Sequence, residues 1–202
     1  MTDDAMARRK TAGLAGFTGD IDGARSAAID PEPSVREAAL RSLDRLGALS
    51  ETDLDQALVD PHPRVRVAAI ELAAPRHLPP LAPLLDDDDP RVVEMACWGC
   101  GEREADLQPP IATLSTLAKD HEDPLVREAA VAALGAIGAP EGLPAVLNAT
   151  TDKPAIRRRA VLALAAFDGP EVDAAWERAR SDRDRQVRDA VEELLGPADT
   201  DD

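Results

Sequence analysis

The sequence predicts an all-α chain, an α–α superhelix (solenoid) of about six helix-turn-helix repeats. Three observations predict it. One short phrase recurs six times, with its apolar anchor at Val35, Val65, Val92, Val126, Ile156 and Val187, so the spacings are 30, 27, 34, 30 and 31 residues. Between the anchors apolar residues follow the helical period, and no stretch alternates as a strand does. Prolines and glycines stop the helical pattern at corresponding places in successive copies.

The phrase is clearest at residues 30–39, 60–69 and 123–130, where an Asp-Pro turn leads into Val-Arg and then a pair of alanines. The segment from Ser50 to Leu72 shows what one copy does. Ser50 precedes Glu51, Thr52 and Asp53, a helix start with capping-box spacing and acids in its first turn. Leu54, Leu58 and Val59 then lie at helical spacing. Pro61 and Pro63 stop this helix, because a residue before proline avoids the helical basin. Proline is tolerated in a first turn, so a second helix starts at 63 or 64. Val65, Ala68, Ala69 and Leu72 form its apolar stripe.

The same grammar predicts first helices over 20–29, 51–59, 78–85, 110–118, 141–149 and 170–181. Second helices are predicted over 34–46, 64–73, 91–100, 125–137, 155–167 and 185–195. Gly47, Gly101, Gly138 and Gly169 stand where second helices end. The chain then divides into an N-terminal segment (1–11, partly flexible), the repeat array (12–196) and an acidic disordered tail (197–202).

Charged residues beside an apolar stripe need partners. Asp30, Asp60 and Asp182 lie six positions before Arg36, Arg66 and Arg188, and Arg127 and Arg157 occupy the same register as those arginines. Such an aspartate can cap the following helix. Each arginine can reach the acid of its own or the neighbouring repeat. Asp30, Arg36, Asp60, Arg66, Arg127, Arg157, Asp182 and Arg188 are therefore read as a structural ladder rather than as an anion-binding row.

The phrase Asp-Pro-x-x-x-Val-Arg-x-x-Ala, with Leu134-Gly135 following in the fourth copy, resembles the HEAT repeat. The period near 30 is similar to the short form found in phycobilisome lyases and small stand-alone bacterial proteins. The resemblance implies a superhelix whose second helices line a concave face, with protein–protein binding as the usual task. Some relatives attach bilins, and another HEAT-like group excises damaged DNA bases.

Composition narrows the function. The 202 residues contain 23 basic and 39 acidic side chains, a formal charge of -16. A field of that sign opposes nucleic-acid binding. Only Lys10, Lys119 and Lys153 are lysines, a usage that fits either a high-salt habitat or a GC-rich genome. No apolar run reaches the roughly 20 residues that span a bilayer. No signal peptide is visible, and a reducing cytoplasmic location is expected. No P-loop, dinucleotide fingerprint, H-E-x-x-H helix or nucleophile elbow occurs. The expectation is a non-catalytic chain with no cofactor and no metal.

Departures from the repeat are where a particular function would show. The third copy has Val93 in place of the arginine, after the acidic run Asp86 to Asp89. That run reads as a solvated turn favouring the next helix N-terminus rather than as a cation site. Cys97 and Cys100 align with Val131 and Leu134, so they read as small core residues rather than as a redox or zinc pair. Trp98 aligns with Arg41, Glu71, Ala132, Leu162 and Glu193, a mixture that marks a position the core does not dictate. Arg41, Glu71 and Trp98 are the expected partner-binding residues, because tryptophan and arginine dominate interface energetics. Trp176 is expected to pack, and the arginines from 157 to 188 to be neutralised by interspersed acids. The functional expectation is a scaffold binding another protein. The alternative is a lyase- or chaperone-like protein that handles a chromophore or cofactor, and nucleic-acid binding ranks below both.

Overall fold

A computed structural model describes residues 2–76, 78–103 and 109–196. The described residues contain α-helices and short 3-10 segments and no strand. The tail 197–202 lies outside them. The chain divides into two compact units, residues 1–99 and 100–202.

The N-terminal unit runs through α1 (Asp3–Thr18), α2 (Ile21–Ala27), α3 (Pro33–Arg45), α4 (Glu51–Leu58), α5 (Pro63–Ala73) and most of α6 (Pro90–Gly101). First helices α2 and α4 pack on second helices α3 and α5, and α3 also packs on α1 and α5. Prolines sit at the first position of α3 and α5, where no helical N–H is lost. Ser50 and Asp53 close a full capping box on α4, as the sequence predicts. Small residues set the helix spacing. A Cβ on Gly16 of α1 would lie 3.0 Å from Ser42 of α3, and one on Gly99 of α6 only 2.6 Å from Leu81.

Two features depart from the predicted elements. The first is α1, for which no helix was expected. Thr2 caps its start and Gly19, at φ 81°, ends it. Its alanines Ala5, Ala12 and Ala15 are buried, and the Ser42 hydroxyl donates to the Ala12 carbonyl at 2.7 Å. By its packing on α3, α1 acts as a second helix without a first. The other departure is the helix predicted over 78–85. The chain there forms only a 3-10 segment, Ala82–Asp86. Pro79, Pro80 and Pro83 remove three N–H donors, and their rings clash with the preceding carbonyls, so no α-helix can propagate.

The C-terminal unit contains α7 (Ile111–Asp120), α8 (Pro124–Ile137), α9 (Leu143–Ala149), α10 (Pro154–Ala163), α11 (Pro170–Arg180) and α12 (Arg185–Leu195). α8, α10 and α12 pack in series, and α7 packs on both α8 and α9. Gly138 ends α8 in the left-handed region at φ 65°. Gly169 differs from its expected role. α10 tightens into a 3-10 turn at Leu164–Ala166, and Gly169 instead precedes α11 as its N-cap.

Candidate functional site

Asp123 caps α8, accepting from the Leu125 N–H at 2.9 Å, but the aspartate of the ladder does not cap the helix after it. Its Oδ1 accepts the N–H two residues on, at 2.8 Å for Asp30 and Asp60, 2.9 Å for Asp87 and 2.7 Å for Asp182. This closes an Asx turn and leaves the N-cap position to the residue that donates the bond: Glu32, His62, Asp89 or Asp184. The aspartate therefore stands two residues before the N-cap. His121 makes the same turn with its Nδ1, which accepts from Asp123 at 3.1 Å.

With one oxygen tied to the turn, the carboxylate presents both oxygens to an arginine of the preceding repeat. Arg36 donates to Asp60 at 2.7 and 2.6 Å, and Arg66 to Asp87 at 2.8 and 2.6 Å. In the C-terminal unit Arg127 donates to Asp152 and Arg157 to Asp182. Each arginine also donates through Nη1 to a carbonyl of the turn in its own repeat. Arg36, Arg66 and Arg188 use the carbonyls of Asp30, Asp60 and Asp182. Arg36, Arg66, Arg127 and Arg157 thus tie their own turns to the next acid, whereas Arg188 in the last repeat bonds the carbonyl of its own turn. Asp30 receives Arg8 of α1, an arginine that was not singled out from the sequence. The hydrogen bonds from Arg127 and Arg157 hold the Asp152 and Asp182 carboxyls below the ordinary aspartate value. In sequence register, Val93 stands where other copies have arginine and His121 where they have aspartate.

The three expected binding residues all lie in the N-terminal unit, on α3, α5 and α6. Arg41 and Glu71 are brought together, with Nη2 2.6 Å from Oε2. Arg41 also contacts Glu37 at 3.3 Å, and Glu37 receives Arg64 of α5. The result is a four-residue network across α3 and α5. Burial raises the Glu37 carboxyl, but Arg64 and Arg41 more than offset this and hold it below its ordinary value. Glu37 and Arg64 were missed in the sequence, since their positions differ in charge from copy to copy. The Glu37–Arg41 spacing of four residues was the available signal. Trp98 is 42% exposed, while Ala96, Cys97, Gly99 and Cys100 around it are buried.

Elsewhere the indole N–H of Trp176 donates to the Val161 carbonyl at 3.2 Å and the ring packs on the Val187–Val191 cluster. Arg159 pairs with Glu128 and Arg185 with Asp189. Among the described residues no group of three His, Cys, Asp or Glu side chains could hold a metal ion. No helix among them is long and apolar enough to cross a membrane.

A family model described as HEAT repeats matches residues 78–154 and 111–196, more than half of the chain. No curated protein matches the chain. Among solved structures, human deoxyhypusine hydroxylase in complex with glycerol is 22% identical, over 96% of this chain and 79% of that one, with a TM-score of 0.49. A designed armadillo repeat protein in complex with the peptide (KR)4 is 18% identical, over 95% and 91%, at 0.47. A computationally designed armadillo repeat protein for modular peptide recognition is 17% identical, over 95% and 91%, also at 0.47.

Proposed function

The chain belongs to the HEAT-repeat family, and from that premise we propose that it is a non-catalytic scaffold that binds another protein through the second helices of its N-terminal unit. The observation that carries this reading is Trp98. Its neighbours on α6 are buried, yet it keeps 42% of its surface in water at a position where other copies carry Arg41 or Glu71. An indole left half exposed is apolar area available for burial by a partner. The Arg41–Glu71 pair, tied to Glu37 and Arg64, supplies ordered polar groups on second helices of the same unit. The pair keeps 46% and 35% of its side-chain surface in water, so it suits the hydrated rim of an interface rather than its dry centre.

The test is affinity capture from the native organism with the wild-type chain, Trp98→Ala and Arg41→Glu, using Glu177→Ala on the other unit as control. Loss of an anchor tryptophan costs about 2 kcal/mol or more, roughly thirtyfold in Kd. The specific partner should therefore disappear from the Trp98→Ala capture while its Tm stays within a few degrees of wild type. If Trp98→Ala and Arg41→Glu both retain every partner, the face is wrong.

A further inference from the structure

The proline-rich break in the third repeat leaves a groove. In the C-terminal unit one first helix packs on the next, α7 on α9. In the N-terminal unit α4 faces the 3-10 segment Ala82–Asp86 instead of a helix. Between them lies a cavity of about 560 Å³ whose apolar wall is formed by Leu58, Val59, Pro61, Pro79, Pro83 and Leu84. Val59 is 78% exposed, a β-branched side chain that its own repeat does not cover.

The rim is acidic. Asp55, Asp60, Asp86, Asp87 and Asp88 all line it, with Arg66 as the one cation among the lining residues. Arg66 and Asp87 are committed to each other at 2.6 Å, and Asp60 to Arg36 at 2.6 Å. Asp55, Asp86 and Asp88 are exposed and make no ion pair with a described residue. These three carboxylates do not converge as a metal site. Their charge is unspent, and it flanks an apolar wall.

We infer that this groove docks a short cationic segment of a partner protein, with arginine or lysine side chains on either side of an apolar residue. The volume falls in the range of about 300–1,000 Å³ that holds a few side chains rather than a folded surface. The apolar residue covers Val59 and the prolines. The cationic side chains pair with Asp55 on the α4 side and with Asp86 and Asp88 on the other. Prolines suit such a wall because they present rigid apolar surface at little entropic cost. This site is separate from the Trp98 face and does not depend on it.

The probe is a fluorescein-labelled octapeptide of alternating arginine and leucine, read by fluorescence anisotropy at physiological salt. Two comparison peptides replace leucine by glycine or arginine by glutamate. Asp55→Asn/Asp86→Asn/Asp88→Asn should weaken the arginine–leucine peptide about tenfold or more. Asp168→Asn/Glu171→Gln/Asp173→Asn removes the same number of exposed charges from the other unit and should change affinity less than about twofold. Val59→Ser should weaken binding several-fold, and the arginine–glycine peptide should bind about tenfold more weakly. Trp98→Ala should leave this binding unchanged, so its outcome is distinct from that of the capture experiment. Equal losses in the two triple variants, or equal affinity for the arginine–leucine and arginine–glycine peptides, would show attraction to the net charge alone and would overturn the site.

Discussion

Asp182 does two jobs that are separable by pH. Its Oδ1 accepts the Asp184 N–H at 2.7 Å and also the Arg157 Nη2 at 2.7 Å, while Oδ2 takes Arg157 Nε at 2.8 Å. The Arg157 and Asp182 side chains are 7% and 15% exposed, so water offers a broken pair little compensation. Asp182→Asn keeps a carbonyl oxygen for the turn but loses the charge and one of the two acceptors. A cost of about 2–3 kcal/mol is expected at neutral pH. The sign of the pH dependence follows from the depressed carboxyl. A group whose folded value lies below its unfolded value of about 3.9 contributes stability above that value and loses it as pH falls through the folded one. Urea midpoints should therefore differ most between wild type and Asp182→Asn at pH 6–7 and converge below about pH 4. A difference independent of pH would mean that the side chain acts through its shape in the turn rather than through its charge.

At the scale of elements, glycine separates two kinds of helix contact. A Cβ on Gly135 of α8 would meet the Ala163 Cβ at 2.6 Å and Cα at 2.8 Å, and that backbone cannot yield without moving α10. Gly13 of α1 has nothing within 4 Å of the same position. Gly13→Ala should raise stability by about 0.5–1 kcal/mol through helix propensity alone. Gly135→Ala should lower it by about 1–3 kcal/mol through overpacking. Thermal melts of the two variants must shift in opposite directions; a parallel shift would refute the α8–α10 spacing. The same contrast explains what could be read from the sequence. Second helices were legible because Val65, Ala68, Ala69 and Leu72 and their equivalents repeat one stripe on one period. α1 was not, because its buried residues are alanines and a glycine, and Phe17 is 72% exposed. An alanine stripe carries almost no amphipathic signal. The repeat period calls for a helix at 78–85. Three prolines within five residues outweigh a period. Trp98 stood out through misfit with its register, whereas Glu37 and Arg64 take meaning only once α3 and α5 lie side by side.

At the scale of the whole molecule, charge sets two opposing responses to salt. Net charge of -16 and a pI near 4.5 impose self-repulsion that screening relieves. Ion pairs oppose this, since screening weakens them. The decision between the two rests on where the pairs are. The bidentate ladder side chains are 7–24% exposed, and partly buried pairs are screened little. The more open pairs, such as Arg185–Asp189 at 83% and 56% exposed, are worth little in any case. Repulsion between surface carboxylates, by contrast, acts through water over distances at or beyond a Debye length, about 10 Å at 0.1 M salt. Self-repulsion should therefore win. The Tm is expected to rise by several degrees between about 20 mM and 0.5 M NaCl, read by calorimetry, with KCl giving the same rise and an isosmotic sugar a smaller one. Lowering the pH from 7 toward 5.5, nearer the pI, should reproduce part of the gain at low salt. A Tm that falls with NaCl would mean that exposed ion pairs rather than apolar packing carry the stability of the stack. The ladder would not be implicated by that result, because its partly buried pairs are screened little and still fix each turn against the next repeat.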